Sequence, residues 1–200
     1  MQKIILLTVL TLVLSASIAN ANIVANGSFE SPTGLASWTT VTPDNWTGSN
    51  VDLINGYYPA EDGKQCLDLN ALVPGSIEQT LTTVSGNWYE ISFWMAANAA
   101  GGPDPKTLDV SWGNDTMSFS HPQDQTWTNF KWNVKAIANT TVLKFASTTI
   151  ADSGNGSYPH AFGPALDNVS VNAVPEPGTI LASLSILAPA GLMFRRRKRA

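Results

Sequence analysis

Between Trp88 and Met95 the chain alternates: Tyr89, Ile91, Phe93 and Met95 fall on one side, and Trp88, Glu90, Ser92 and Trp94 on the other. An extended strand turns successive side chains to opposite faces, whereas a helix repeats its apolar residues three and four apart. The period of two recurs in 107–112, where Leu108, Val110 and Trp112 alternate with Asp109 and Ser111. It recurs again in 126–134, where Phe130, Trp132 and Val134 alternate with Asn129, Lys131 and Asn133. Leu143 with Phe145, then Val169 with Val171, continue it. Turn-forming clusters punctuate these runs: Val73-Pro74-Gly75, Ser85-Gly86-Asn87, residues 101–105, 112–115 and 152–156. Glycine supplies positive φ, proline fixes φ, and Asn or Asp bonds to its own backbone. Short strands at this spacing predict an all-β domain, an antiparallel β-sandwich or jelly roll.

The two ends of the chain read differently. Met1-Gln2-Lys3 is followed by the apolar run Ile4–Leu14 and by a small-x-small pair, Ala19 and Ala21. That order is a secretory signal peptide, with cleavage expected after Ala21. At the other end Pro175-Glu176-Pro177-Gly178-Thr179 precedes an apolar run of 15 residues, 180–194, and then Arg195-Arg196-Arg197-Lys198-Arg199. A helix of that length covers about 22 Å, short of the roughly 30 Å hydrocarbon core of a bilayer. The basic cluster stays cytoplasmic, which puts the preceding chain outside. The expected division is therefore a signal peptide at 1–21, a β-sandwich at 22–173 and a sorting tail at 174–200.

Composition excludes several classes. One Cys in 200 residues leaves neither a disulfide framework nor a Cys-rich zinc module. The net charge of −4 averages over unlike pieces, because the middle segment holds five Lys against fourteen acidic residues, a net −9. A strongly anionic domain is unsuited to nucleic acid, which needs a basic face. Six Asn-x-Ser/Thr sequences occur, at Asn26, Asn45, Asn114, Asn139, Asn155 and Asn168. They are read as turn and strand-edge residues.

The tail from Val174 to Arg199 resembles the bacterial PEP-CTERM sorting signal in all three parts: the Pro-Glu-Pro motif, a short membrane segment and an Arg-rich end. That resemblance implies an exosortase-type processing enzyme as a partner and transient insertion in the inner membrane. The address it implies is the cell envelope, cell surface or extracellular matrix of a bacterium. The middle segment carries Asn26-Gly27-Ser28-Phe29-Glu30, Ala60–Asn70, Pro74–Leu81 and Gly163–Val171 in the order and spacing of the choice-of-anchor C family. That family is related to plant cell-wall proteins of unknown function and implies a galactose-binding-like jelly roll. Cys66 departs from the family pattern and is read as a buried apolar substitute.

In such jelly rolls the N-terminal Asn-Gly-x-Phe-Glu and C-terminal Asp-Asn-Val segments meet and share a structural calcium. The resemblance thus implies Glu30 and Asp167 as carboxylate ligands, with backbone carbonyls completing the shell. The residues alone equally allow both carboxylates to cap turns. Sugar recognition is the second candidate chemistry, since aromatic faces stack on sugar C–H surfaces while a few polar groups fix the hydroxyls. Trp46, Tyr57, Tyr58, Trp127 and Tyr158 fall in or near predicted loops, with Asp52, Glu61, Asp62, Asn155 and His160 close in sequence. Trp94, Trp112 and Trp132 are assigned to the core.

Catalysis has no marker. There is no Gly-x-Ser-x-Gly elbow and no His-Glu-x-x-His, and both histidines, His121 and His160, sit beside prolines. The expectation is a non-enzymatic, secreted sandwich that binds extracellular polysaccharide or mediates adhesion in exopolysaccharide or biofilm. A surface module that binds protein without sugar affinity is the alternative, and a polysaccharide hydrolase the third.

Overall fold

The computed structural model describes residues 21–150, 154 and 156–175. Residues 1–20 of the expected signal peptide, Ala19 among them, lie outside them, as do Glu176 to Thr179 of the expected sorting motif and the apolar run after it. Eleven strands follow one another: β1 Trp38–Thr40, β2 Thr47–Ser49, β3 Asp52–Asn55, β4 Gln65–Asp68, β5 Ser76–Thr82, β6 Trp88–Ala97, β7 Lys106–Trp112, β8 Asp115–His121, β9 Thr128–Lys135, β10 Thr140–Ser147 and β11 Pro164–Val174. The described residues contain no α-helix.

The strands form two antiparallel sheets. One has the order β1-β3-β4-β11-β6-β9, and the other β2-β5-β10-β7-β8. Their facing sides make the core, as the alternation requires. From β6 come Tyr89, Ile91, Phe93 and Met95, each under 5% exposed, and from the opposite sheet Leu108, Val110, Leu143 and Phe145, all fully buried. Phe93 packs edge-on to Phe145 across the gap, with ring centroids 5.2 Å apart. The polar Gln79 reaches into this layer because it is fully occupied there. Its Oε1 accepts the Ala25 N–H at 2.9 Å, and its Nε2 donates to the carbonyls of Ala25 and Asn45 at 3.0 Å each. A buried amide with three partners costs little and pins the entering chain.

Trp112 is buried as expected, and Trp132 packs against the core at its margin. Trp94 does not join them. It alternates with Phe93 and Met95, so the pleat turns it to the outer face, where it is half-buried. Three of the sequon asparagines hold positive φ, Asn26 at 52°, Asn45 at 69° and Asn168 at 46°. Asparagine tolerates that region better than other L-residues, which agrees with their reading as turn residues.

β11 joins the two halves of its sheet. It pairs with β4 through Ala165 and Leu166 and with β6 from Pro164 to Val174, and its register shifts between Asp167 and Ser170. A bulge of this kind re-aims a side chain. Here it coincides with the positive φ of Asn168, next to Asp167.

Candidate functional site

The outer face of the six-stranded sheet carries the site, and strand register builds it. Thr40 pairs with Asp52, Asp52 with Asp68, and Asp68 with Ala165, so one row of side chains crosses four strands. Two residues along, Trp38 pairs with Ile54 and Ile54 with Cys66, making a second row on the same face. The loops after β3, β4 and β6 and the segment before β11 bank up around these rows. They enclose a groove of about 510 Å³.

Three aromatic side chains line this groove and remain open to solvent: Trp38 at 52%, Tyr57 at 56% and Tyr158 at 46% exposure. Exposed aromatics grouped on one concavity mark a ligand surface rather than a folding need. Between them the floor is polar, made of Asp52, Asp68, Asn70 and Asn98. Asp52 and Asp68 stand directly opposite one another on paired strands, an arrangement that like charges ordinarily disfavour. Asp68 is held in place by Asn98 Nδ2, which donates to its Oδ2 at 2.7 Å, and by the N–H groups of Asn70 and Gly163, which donate to its Oδ1 at 2.8 and 3.0 Å. Burial nevertheless pushes its carboxyl up to about 6, against the pull of those three bonds, and the Asp52 charge adds to the rise. Burial also raises Asp52, opposed by the Thr40 hydroxyl that donates to its Oδ1 at 2.6 Å.

The segment bearing Tyr158 is tied to the floor. Asn70 Nδ2 donates to the carbonyls of Thr149 at 3.0 Å and His160 at 2.8 Å. A side chain at Gly163 would run into the Asn70 carboxamide, so this close approach requires glycine. Phe162, beside it, holds φ at 66°, a strained value for an aromatic residue.

Of the aromatic residues expected from the sequence, Tyr57 and Tyr158 line the groove, and Trp46, Tyr58 and Trp127 do not. Trp46 is a correction: its loop turns inward, leaving it 6% exposed between Phe29 and Phe145, with Nε1 donating to the Asn26 carbonyl at 3.1 Å. Tyr58 is a second correction. It is 5% exposed and lies in a small cluster with Ile54, Cys66, Ala96 and Ala165 under the loop, edge-on to Tyr57. Burial raises both the Tyr58 hydroxyl and the Cys66 thiol well above their usual ranges, so Cys66 is the inert, buried residue expected. Trp127 rests half-buried against the same cluster and donates from Nε1 to the Pro59 carbonyl at 3.1 Å, which braces the Tyr57 loop from outside the groove. Trp38 had no signal in the sequence. Nor had Asp68, Asn70 and Asn98 as ligand groups.

Glu30 and Asp167 each grip the backbone of one loop, 61–65. Glu30 Oε1 accepts the N–H groups of Lys64 and Gln65, each at 2.7 Å. Asp167 Oδ2 accepts those of Glu61 at 2.8 Å and Asp62 at 3.0 Å, and Oδ1 that of Asn168 at 2.7 Å. The contribution of Asp62 is its backbone N–H. Its exposed side chain is not among the groove-lining groups. Gly63 holds φ at 67°, and any side chain there would strike the Glu30 carboxylate. Burial pushes Asp167 up to about 7 against these three bonds. Calcium takes six to eight oxygens. Two carboxylates on one loop supply part of such a shell, but the groups already turned toward them are donors. Among the described residues no three His, Cys, Asp or Glu side chains converge on a common centre.

The family model described as "Protein of unknown function (DUF642)" matches residues 22–172. The chain belongs to that family. Halomucin of Haloquadratum walsbyi is 27% identical over 202 residues, and the match covers 94% of this chain. The DUF642 chain spans only 2% of the length of halomucin. Among solved structures, a family 35 carbohydrate-binding module from Clostridium thermocellum is 17% identical, with 68% of this chain and 98% of that one covered at a TM-score of 0.46. The CBM22-1 xylan-binding domain from Paenibacillus barcinonensis is 19% identical, with 75% and 93% covered at a TM-score of 0.46.

Proposed function

We propose that this DUF642 domain is a non-catalytic carbohydrate-binding module that takes a segment of extracellular polysaccharide in the groove over β1, β3 and β4. The observation that carries the reading is the grouping of three solvent-open aromatics, Trp38, Tyr57 and Tyr158, around a floor of carboxylates and amides. Aromatic faces bind sugar C–H surfaces, and the polar floor orients hydroxyls. The groove's volume lies within the range of ligand pockets. The sequence of the two ends supports a secreted protein whose PEP-CTERM-like tail is handled by an exosortase-type enzyme, as in choice-of-anchor C proteins. That route delivers the domain to the cell envelope or its polymer matrix.

Affinity electrophoresis of the full chain against a polysaccharide panel tests the binding. Retardation by at least one polymer, cut about tenfold or more by Trp38→Ala with unchanged melting temperature, is the expected result. Retention on a protein partner with no glycan retarded would instead establish the protein-interaction module. Turnover of a retarded polymer would make it a hydrolase. The expected calcium would take carboxylate oxygens from Glu30 and Asp167 and carbonyls from the same loop. A melting temperature raised by CaCl2, and no longer raised in Glu30→Gln, is its test.

A further inference from the structure

The proposed sugar site has a chemical bias. On the groove floor the side-chain donors are spent on the protein. Both amide hydrogens of Asn70 go to the carbonyls of Thr149 and His160, the Thr40 hydroxyl goes to Asp52, and an amide hydrogen of Asn98 goes to Asp68. What is left over accepts. Asp52 Oδ2, on a half-buried side chain, has no partner among the described residues, whereas the unpartnered Asn70 Oδ1 is sealed from solvent beside Gly163. Among the described residues no Lys, Arg or His lines the groove. Neither Asp52 nor Asp68 enters an ion pair among the described residues. The nearest positive charge known to act on the floor is Lys106, which feels Asp68 through the protein. It is itself fully buried and directed at the Gly101 carbonyl, 2.6 Å away.

We infer that the groove prefers a glycan bearing free amino groups, a polymer of unacetylated hexosamine, over neutral sugars and over uronic acids. The inference rests on the groove being the sugar site. An ammonium group supplies three donors and a positive charge to a floor that offers acceptors and two facing carboxylates. The exposed faces of Trp38, Tyr57 and Tyr158 add cation–π attraction to the same ligand. A neutral sugar hydroxyl satisfies the acceptors but leaves the paired charges uncompensated. A uronate brings acceptors to acceptors and a third negative charge.

The test is calorimetric titration of the full chain at pH 6.5 in 150 mM salt. The probes are the glucosamine tetramer, the N-acetylglucosamine tetramer, cellotetraose and a galacturonate tetramer. The expected order places the glucosamine tetramer about tenfold or more above the two neutral tetramers, with the galacturonate tetramer weakest. Asp52→Asn keeps the oxygen that Thr40 bonds and is expected to bring the ratio of glucosamine-tetramer to cellotetraose affinity down to about one, the ratio rather than either affinity being the readout. Asp115→Asn, exposed at the start of β8 in the other sheet and outside the groove lining, controls for the general attraction of a polycation to an acidic protein and is expected to change nothing. Equal affinity for the amino and neutral tetramers overturns the inference and leaves the sugar site standing. So does an equal loss in the Asp52 and Asp115 variants. Failure of all four tetramers and of the wider polysaccharide panel overturns both.

Discussion

The domain holds two pairs of acidic residues, and they differ in whether both members are satisfied by their own chain. Glu30 and Asp167 grip the backbone of one loop, accepting five N–H groups between them. Asp52 and Asp68 face each other across paired strands, and Asp52 receives only the Thr40 hydroxyl. The first pair is satisfied by its own chain and serves the fold. In the second, Asp68 is buried and bonded as fully as Asp167, by Asn98, Asn70 and Gly163, so Asp52 is the member left open, beside three solvent-open aromatics. Carboxylates look alike in a sequence, and what separates a structural one from a binding one is whether local donors already saturate it.

That contrast can be broken by experiment. The largest effect is expected for Asp167→Ala, which strips three backbone donors of their acceptor in a buried place. A loss of about 3 kcal/mol or more in urea unfolding is expected, and a loss below about 1 kcal/mol would mean that the clasp is ornamental. Next comes the pH dependence of Asp68. A carboxyl raised from 3.8 to about 6 on folding stabilises the native state most when protonated. Its contribution is complete below pH 3.8 and is lost as the pH rises from there through about 6, a change of about 3 kcal/mol. The stability difference between wild type and Asp68→Asn, followed from pH 4 to 8, should shift against the wild type by that amount. A flat difference would show that Asp68 titrates as an ordinary carboxyl.

Smaller effects sharpen the comparison. Glu30→Gln retains an acceptor for Lys64 and Gln65 but loses its charge, and about 1 kcal/mol of stability should go with it by urea unfolding. Asp52→Asn removes one member of a repelling pair and should be neutral or stabilising by about 0.5 kcal/mol. A loss of stability there would place Asp52 with the structural acids instead.

How far the residues announced all this depended on length and on register. β6, β7, β9, β10 and β11 were legible because each alternates long enough for the period of two to show. β8 was not, because as an edge strand it exposes residues on both faces, and of its alternating residues Phe119 packs against Phe93 and the core while Met117 stays exposed. β1, β2 and β3 have three or four residues each, too few for any period. Trp38 was missed for that reason, since it is placed by pairing with Ile54 rather than by its own neighbours. Tyr57 and Tyr158 could be found because they lie among turn residues, where apolar side chains need a reason. The same argument misjudged Trp46 and Tyr58, because a loop can turn a ring inward and nothing local marks the direction. Asp52 and Asp68, sixteen positions apart, become a pair only through strand register.

β11 gives the domain a direction. Its first residue, Pro164, follows the segment that walls the groove, and its last, Val174, leaves the sheet ten residues further on. At about 3.3 Å per residue the strand separates those points by roughly 33 Å. Val174 therefore lies at the far end of the longest described strand from the segment that walls the groove.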